Sequence, residues 1–330
     1  MSQTVNGNSD PLVRVENLTK HFSVRIGAYG ETKATVHALD EVSFDVQRGE
    51  TLGLVGESGC GKSTAGLTLL QLHRPTSGKV FFDDSEVTGL SDKEMRPLRR
   101  RMQMIFQDPY STLSPRMTIG NAIGEPLWLH ELASGQEAQE RIAELLDDVG
   151  LNPAFAFRYP HEFSGGQRQR VCIARALACE PEFIVCDEPI SALDVSIQAQ
   201  IINLLQDLQE EYHLTYLFIA HDLAVVRHIS DRVAVMYLGR VVEMAPKEKL
   251  FENPLHPYTN ALLLSVPVPN PRQERQREHT VIQGNVPSAI SPPSGCRFHP
   301  RCPLAFEPCD HEVPEWREVE SGHWVACHAV

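Results

Sequence analysis

The sequence predicts an α/β fold, with a mostly parallel sheet covered by helices on both faces. Three observations carry that prediction. The apolar run TLGLV is followed by a Gly-rich loop and then by GKSTAGLTLLQL, whose apolar residues recur at helical spacing. The same helix and strand alternation resumes in SGGQRQRVCIARALACEPEFIVCDEP. It repeats in HLTYLFIAHD, an apolar strand that ends in polar residues.

The flanking elements follow in order. Residues 12–22, LVRVENLTKHF, alternate as a strand does, and GAYGETKATVHALD leads into a second strand pattern around EVSFDVQ, so the chain opens as β structure. After RMQMIF, the stretch 115–160 contains the amphipathic run QEAQERIAELLDDVGL, bracketed by Gly124-Glu125-Pro126 and Asn152-Pro153, which predicts a helical insertion. Beyond about Phe251 the periodicity fades into NPLHPYT, VPVPNPRQERQRE and SPPSG. Proline density and a charge run predict a linker or an irregular extension there.

Composition narrows the function classes. With 330 residues, 42% of them apolar and 22% charged, the chain has the makings of an ordinary globular core. No stretch approaches the ~18 consecutive apolar residues of a membrane span. The opening MSQTVNGNSDP lacks the charged and apolar blocks of a secretory signal, so a cytoplasmic location is expected. A net charge of −13 argues against a nucleic-acid partner, which requires a basic footprint. Eight cysteines in a reducing compartment are read as buried apolar residues or metal ligands rather than disulfides.

Gly56, Glu57, Ser58, Gly59, Cys60, Gly61, Lys62 and Ser63 match G-x-x-x-x-G-K-[ST] between a strand and a helix, the context that the P-loop mechanism requires. The glycines let backbone N–H groups close around phosphate oxygens, Lys62 brings a point charge to the β- and γ-phosphates, and Ser63 can ligate Mg²⁺. In FIVCDEP, Asp187 ends a buried apolar strand, where a carboxylate needs a cation such as Mg²⁺ to offset desolvation. Glu188 follows it and can polarise a water for attack on the γ-phosphate. Ser164, Gly165, Gly166 and Gln167 open the next helix as a second anion site, although a Ser-Gly pair before a helix is by itself most often a cap.

GESGCGKST, FSGGQRQR, FIVCDEP, SALD and FIAHD stand in the order of the ATP-binding cassette ATPases, and residues 12–250 resemble that family. The resemblance implies a P-loop NTPase cassette with a RecA-like core, an antiparallel β subdomain and a helical subdomain at about 108–163. The ATPase domain would span 1–250 and a C-terminal extension 251–330. It also implies two cassettes dimerised head to tail, each ATP lying between one P-loop and the signature residues Ser164–Gln167 of the other. Carried over by motif, Lys62, Ser63 and Thr64 hold phosphates and Mg²⁺. Gln107 senses the γ-phosphate and the metal, Asp187 supports the metal, and Glu188 is the base. Asp194 in SALD crosses the dimer contact, His221 in FIAHD is the switch histidine, and Phe22 in LTKHF is the aromatic that stacks on adenine. Phe163 stands where the family usually has leucine, a conservative departure.

The tail is similar to the C-terminal extension of oligopeptide and dipeptide importer ATPases in NPLHPYTNALL, GNVPSAISPPSGCRFHPRCPLAF and VACH. That similarity implies import of di- or oligopeptides at the cytoplasmic face of the inner membrane. The implied partners are two transmembrane permeases, a second and non-identical ATPase subunit, and an extracytoplasmic solute-binding protein. Related importers carry nickel, glutathione, haem or oligosaccharides, and a soluble cassette of iron–sulfur assembly is the rival from another class.

Of the eight cysteines, Cys172, Cys179 and Cys186 fall on helix and strand positions that buried packing explains. Cys296, Cys302, Cys309 and Cys327 form C-x5-C-x6-C-x17-C in a segment with little periodic apolar surface, so a bound group is expected to order it. Structural zinc usually takes closer Cys pairs, although His299, His311, His323 and His328 could substitute as ligands. A [4Fe–4S] cluster takes four Cys, and the family resemblance also supports it for this tail. The cluster is the favoured reading and zinc the alternative.

Overall fold

The computed structural model describes residues 10–26, 32–265 and 284–330. Two sheets organise it. The larger has eight strands. Its centre consists of β3 (Thr51–Val55), β6 (Met102–Ile105), β7 (Phe183–Asp187), β8 (Thr215–Ala220) and β9 (Arg232–Tyr237), side by side in the order β9-β3-β8-β7-β6 and all parallel. Every residue of β3, β7 and β8 is buried, as strands covered on both faces must be.

The two-residue period of a strand assigns alternate side chains to two cores. Ile184, Cys186, Tyr216 and Phe218 face one core. It is built against α6 (Gly165–Leu177), α7 (Val195–Tyr212), α8 (Leu223–Ile229) and a helical insertion of α3 (Pro109–Thr112), α4 (Ile119–Leu129) and α5 (Gly135–Asp148). Phe183, Val185, Leu217 and Ile219 face the other. That core is closed by α1 (Lys62–Leu69), by Met95 of α2 (Asp92–Arg101), and by a four-stranded antiparallel sheet in the order β2-β1-β4-β5. Its strands are β1 (Val13–Ile26), β2 (Thr32–Val46), β4 (Ser77–Phe82) and β5 (Ser85–Glu86). β2 is longer than the sequence pattern around EVSFDVQ suggests, pairing with β1 from Ile26↔Thr32 to Val13↔Val46. Its half-exposed first half carries polar residues whose alternation reads weakly.

The region after Phe251 is irregular over much of its described length but not throughout. β10 (Arg240–Pro246) runs antiparallel to β9 and leads through α9 (Lys247–Glu252) into it, and α10 (Pro257–Ser265) follows. The chain later returns as a hairpin of β11 (Arg317–Glu320) and β12 (His323–Val325), with β12 pairing on β10 at Glu243↔Val325. The charged run in VPVPNPRQERQRE lies outside the described residues. The extension therefore completes the main sheet, and it also shares the cassette core. Tyr258 and Phe298 are 0% and 1% exposed. Their rings pack on Tyr237 with centroids 4.7 and 5.2 Å away. Glu243, fully buried, accepts from the Leu255 and His256 N–H groups at 2.7 and 2.9 Å and from His323 Nε2 at 2.7 Å. Three donors from the extension thus satisfy one buried carboxylate, which ties the tail to the sheet. Among the described residues, no helix is long and apolar enough to cross a membrane.

Candidate active site

The Gly-rich loop turns from β3 into α1, so the loop glycines sit where a parallel strand meets a helix N-terminus. Gly61 precedes α1 with φ of 110°, and a Cβ there would lie 2.3 Å from the Ala38 carbonyl oxygen. Because the obstacle is backbone and the conformation is left-handed, Gly61→Ala is expected to cost about 1–3 kcal/mol or more. A thermal melt of the variant that overlays the wild type would refute this. Cys60 is buried, and burial pushes its thiol pKa up, so its part in the loop falls to the backbone. Ser58 and Gly59 are exposed at the loop tip, and Thr64 is half-buried one residue beyond Ser63 on α1.

Lys62 is 4% exposed and points back into the loop, donating to the Gly56 and Glu57 carbonyls at 2.8 and 3.2 Å. Ser63 Oγ donates to Asp187 Oδ1 at 2.8 Å. Burial raises the Asp187 pKa, and the Ser63 hydrogen bond opposes that only in part. A buried strand-end carboxylate beside a hydroxyl is a donor set that suits a hard divalent cation.

Glu188 leaves β7 with φ of 45°, a left-handed conformation rare for a residue with a side chain. Its backbone still pairs, N–H to the Ile219 carbonyl at 3.0 Å. Its carboxylate has Oε1 3.9 Å from Lys62 Nζ, while Oε2 accepts from Gln107 Nε2 at 2.9 Å and lies 3.6 Å from His221 Nδ1. Glu188, Gln107 and His221, predicted from three separate motifs, therefore meet at one carboxylate beside the P-loop lysine. His221 is 59% exposed and Gln107 is exposed, so the cluster opens to solvent on one side.

Ser164 caps α6, its Oγ accepting from the Gln167 N–H at 3.3 Å while Gln167 Oε1 accepts from the Ser164 N–H at 3.0 Å. Among the described residues, no hydrogen bond joins Ser164, Gly165, Gly166 or Gln167 to the P-loop. Asp194 precedes α7 with no capping bond from its side chain, and Val195 next to it is 81% exposed. Phe22 on β1 is half-buried and outside the core, with the Lys20 ammonium 4.7 Å from its ring centroid and His73 edge-on at 5.5 Å.

Sequence reasoning missed how the extension docks here. Arg301 donates to Glu57 of the P-loop at 2.8 and 3.0 Å. Arg297 pairs with Asp40 and donates to the Leu238 carbonyl. Asp40 also bonds His21 Nε2 at 2.5 Å and lies 3.3 Å from His37 Nδ1. Among the described residues, His21, His37 and Asp40 are the one group of three or more His, Cys, Asp or Glu side chains whose ligand atoms all lie within 4.8 Å. The Arg297 guanidinium already neutralises that carboxylate. No periodicity in CRFHPRC could announce these partners, of which Glu57 and Asp40 lie 244 and 257 residues upstream.

The four tail cysteines converge more loosely. Cys309 is buried, the other three are half-buried, and the Cys296 N–H donates to the Cys309 carbonyl at 2.9 Å. Burial pushes the Cys296 thiol up to about 11, with Cys327, Cys309 and Cys302 adding to the rise. The histidines considered as substitute ligands have other partners. His299 bonds the Cys296 carbonyl, His311 bonds Asp310, His323 bonds Glu243, and His328 bonds the Glu312 carbonyl.

Comparison with known proteins finds relatives along nearly the whole chain. Residues 39–191 match the family model described as ABC transporter, and residues 242–309 match that of the oligopeptide/dipeptide transporter C-terminal region. The oligopeptide transport ATP-binding protein AppF of Bacillus subtilis is 53% identical over 97% of this chain and 98% of its own length. A probable peptide ABC transporter ATP-binding protein of Sinorhizobium fredii is 54% identical over 97% of this chain and 90% of its own. Among solved structures, a dimeric ATP-binding cassette in a post-hydrolysis state with ADP and phosphate is 33% identical. It covers 71% of this chain and 98% of that one with a TM-score of 0.63.

Proposed function

Since this chain belongs to the ABC transporter family of ATPases, in the branch with the oligopeptide/dipeptide transporter C-terminal region, we propose that it is the ATP-hydrolysing subunit of a peptide importer. The observation that carries this is near-full-length identity to peptide transport ATP-binding proteins, extending through the tail. ATP and Mg²⁺ are the usual nucleotide and metal of such ATPases. The P-loop N–H groups and Lys62 bind the phosphates, and Phe22 stacks on adenine. Ser63, Gln107 and Asp187 would hold the metal, which supplies charge neutralisation at the transferring phosphoryl group. Glu188 accepts the proton of the attacking water, while Gln107 and His221 orient its carboxylate.

Ser164 and Asp194 are exposed, Gly165, Gly166 and Gln167 are half-buried, and among the described residues none of them bonds the chain's own P-loop, which supports their use by a second cassette across a head-to-tail dimer. With two permeases, a homologous ATPase and a solute-binding protein, ATP-driven closure and hydrolytic reopening of that dimer would drive import from the inner membrane's cytoplasmic face. Deleting the gene should abolish uptake of labelled di- and oligopeptides, with wild type but not Glu188→Gln restoring it. Unchanged peptide uptake, with loss of nickel, glutathione, haem or oligosaccharide uptake instead, would overturn the substrate assignment.

Cys296, Cys302, Cys309 and Cys327 are proposed to hold a [4Fe–4S] cluster that clamps the tail. Structural zinc usually takes closely spaced Cys pairs, which C-x5-C-x6-C-x17-C lacks, so zinc is the alternative. Purified anaerobically, the protein should be brown and carry iron and sulfide, whereas a colourless product with stoichiometric zinc would overturn the cluster.

A further inference from the structure

The extension grips the P-loop at one residue. Both terminal nitrogens of Arg301 donate to the Glu57 carboxylate, at 2.8 and 3.0 Å, and Nη1 also reaches the Tyr237 hydroxyl at 3.3 Å. The main chain of Glu57 is held as well, its N–H donating to the Tyr258 hydroxyl at 2.9 Å. These partners lie 244 and 201 residues away in sequence.

Neither contact is a loose surface pair. The Arg301 side chain is 6% exposed and Tyr258 is 0% exposed. A guanidinium fork matches a carboxylate in a plane, which fixes direction as well as charge. Arg301 is itself placed by a turn, its N–H donating to the Phe298 carbonyl at 2.9 Å, inside the segment between Cys296 and Cys302. Tyr258 is placed by its N–H donating to His256 Nδ1 at 3.0 Å and by its packing on Tyr237 and Phe298. Burial pushes the His256 pKa down to about 4, so the imidazole is neutral and can accept that bond.

A P-loop binds phosphate through N–H groups that must point inward together. A loop with glycines at 56, 59 and 61 at positive φ has much conformational freedom to lose when a nucleotide arrives. Anchoring its rim beforehand lowers that loss and so raises affinity. We propose that Arg301 and Tyr258 are positioning residues that preorganise the P-loop, so that the cassette's affinity for nucleotide depends on its C-terminal module. This rests on the ATPase reading above but not on what binds the four thiols. A purely structural role, gluing the tail to the cassette, would lower thermal stability and leave affinity unchanged in the folded protein.

The test uses the full chain, with titration of a fluorescent ATP analogue, steady-state ATPase kinetics and a thermal melt. Arg301→Ala should raise the dissociation constant and KM by about 5- to 20-fold with kcat within about twofold. Arg301→Lys should recover only part of this, since an ammonium cannot form the fork. Tyr258→Phe removes only the acceptor of the Glu57 N–H and should weaken binding by about 3- to 10-fold. It carries the test alone if Arg301→Ala fails to fold. Unchanged affinity in the folded variants, with or without a lower melting temperature, overturns the proposal. A wild-type chain that neither binds nor hydrolyses ATP overturns instead the ATPase reading beneath it.

Discussion

Glu188→Gln is expected to lower steady-state ATP hydrolysis by about 10²–10⁴-fold while leaving nucleotide binding intact. The carboxylate has one oxygen 2.9 Å from Gln107 Nε2 and the other 3.9 Å from Lys62 Nζ, so it stands within reach of a water attacking a lysine-bound phosphate. Glutamine keeps the size and can present its carbonyl oxygen to Gln107, but it cannot take a proton. It also removes a negative charge beside the phosphate-binding lysine, which would otherwise repel the nucleotide. Affinity should therefore hold or rise. Hydrolysis at a near-normal rate in this variant would remove Glu188 from the role of base, and lost binding of an ATP analogue would make its effect structural.

Lys62→Ala should weaken ATP binding by about 10- to 150-fold, the loss of one charge-assisted hydrogen-bond partner at about 1.5–3 kcal/mol. In the structure the ammonium is buried and donates to the Gly56 and Glu57 carbonyls. Neutral carbonyls hold it in place, and an anionic phosphate would outcompete them for the same protons. Alanine removes both the charge for phosphate and the donors that close the loop on itself, so binding and loop order fall together. An analogue affinity within about twofold of wild type would show that the loop N–H groups suffice without the lysine.

The parts of the site that were legible beforehand are those whose chemistry is local in sequence. The P-loop is one contiguous turn, and Asp187 ends, and Glu188 follows, a five-residue strand whose four apolar residues advertise burial. The helical insertion was legible because QEAQERIAELLDD repeats at a helix period, and it forms α5. The tail was harder. Tyr258 and Phe298 look like isolated aromatics in proline-rich text, and only when packed on Tyr237 do they become core. The β11–β12 hairpin was missed because one strand is fully exposed and the other has three residues, too few for a period to register.

By itself the sequence determined the parallel α/β core, the P-loop, the acidic pair and the order of motifs, because each is encoded by residues adjacent along the chain or repeating at a fixed period. The tertiary structure alone decided that Gln107, Glu188 and His221 share one carboxylate, that Glu243 bolts the tail to the sheet, and that Arg301 and Tyr258 close on Glu57. Those contacts join residues as many as 244 positions apart. Such pairings depend on where the completed sheet and its two cores carry each segment, and spacing along a single chain holds no record of that.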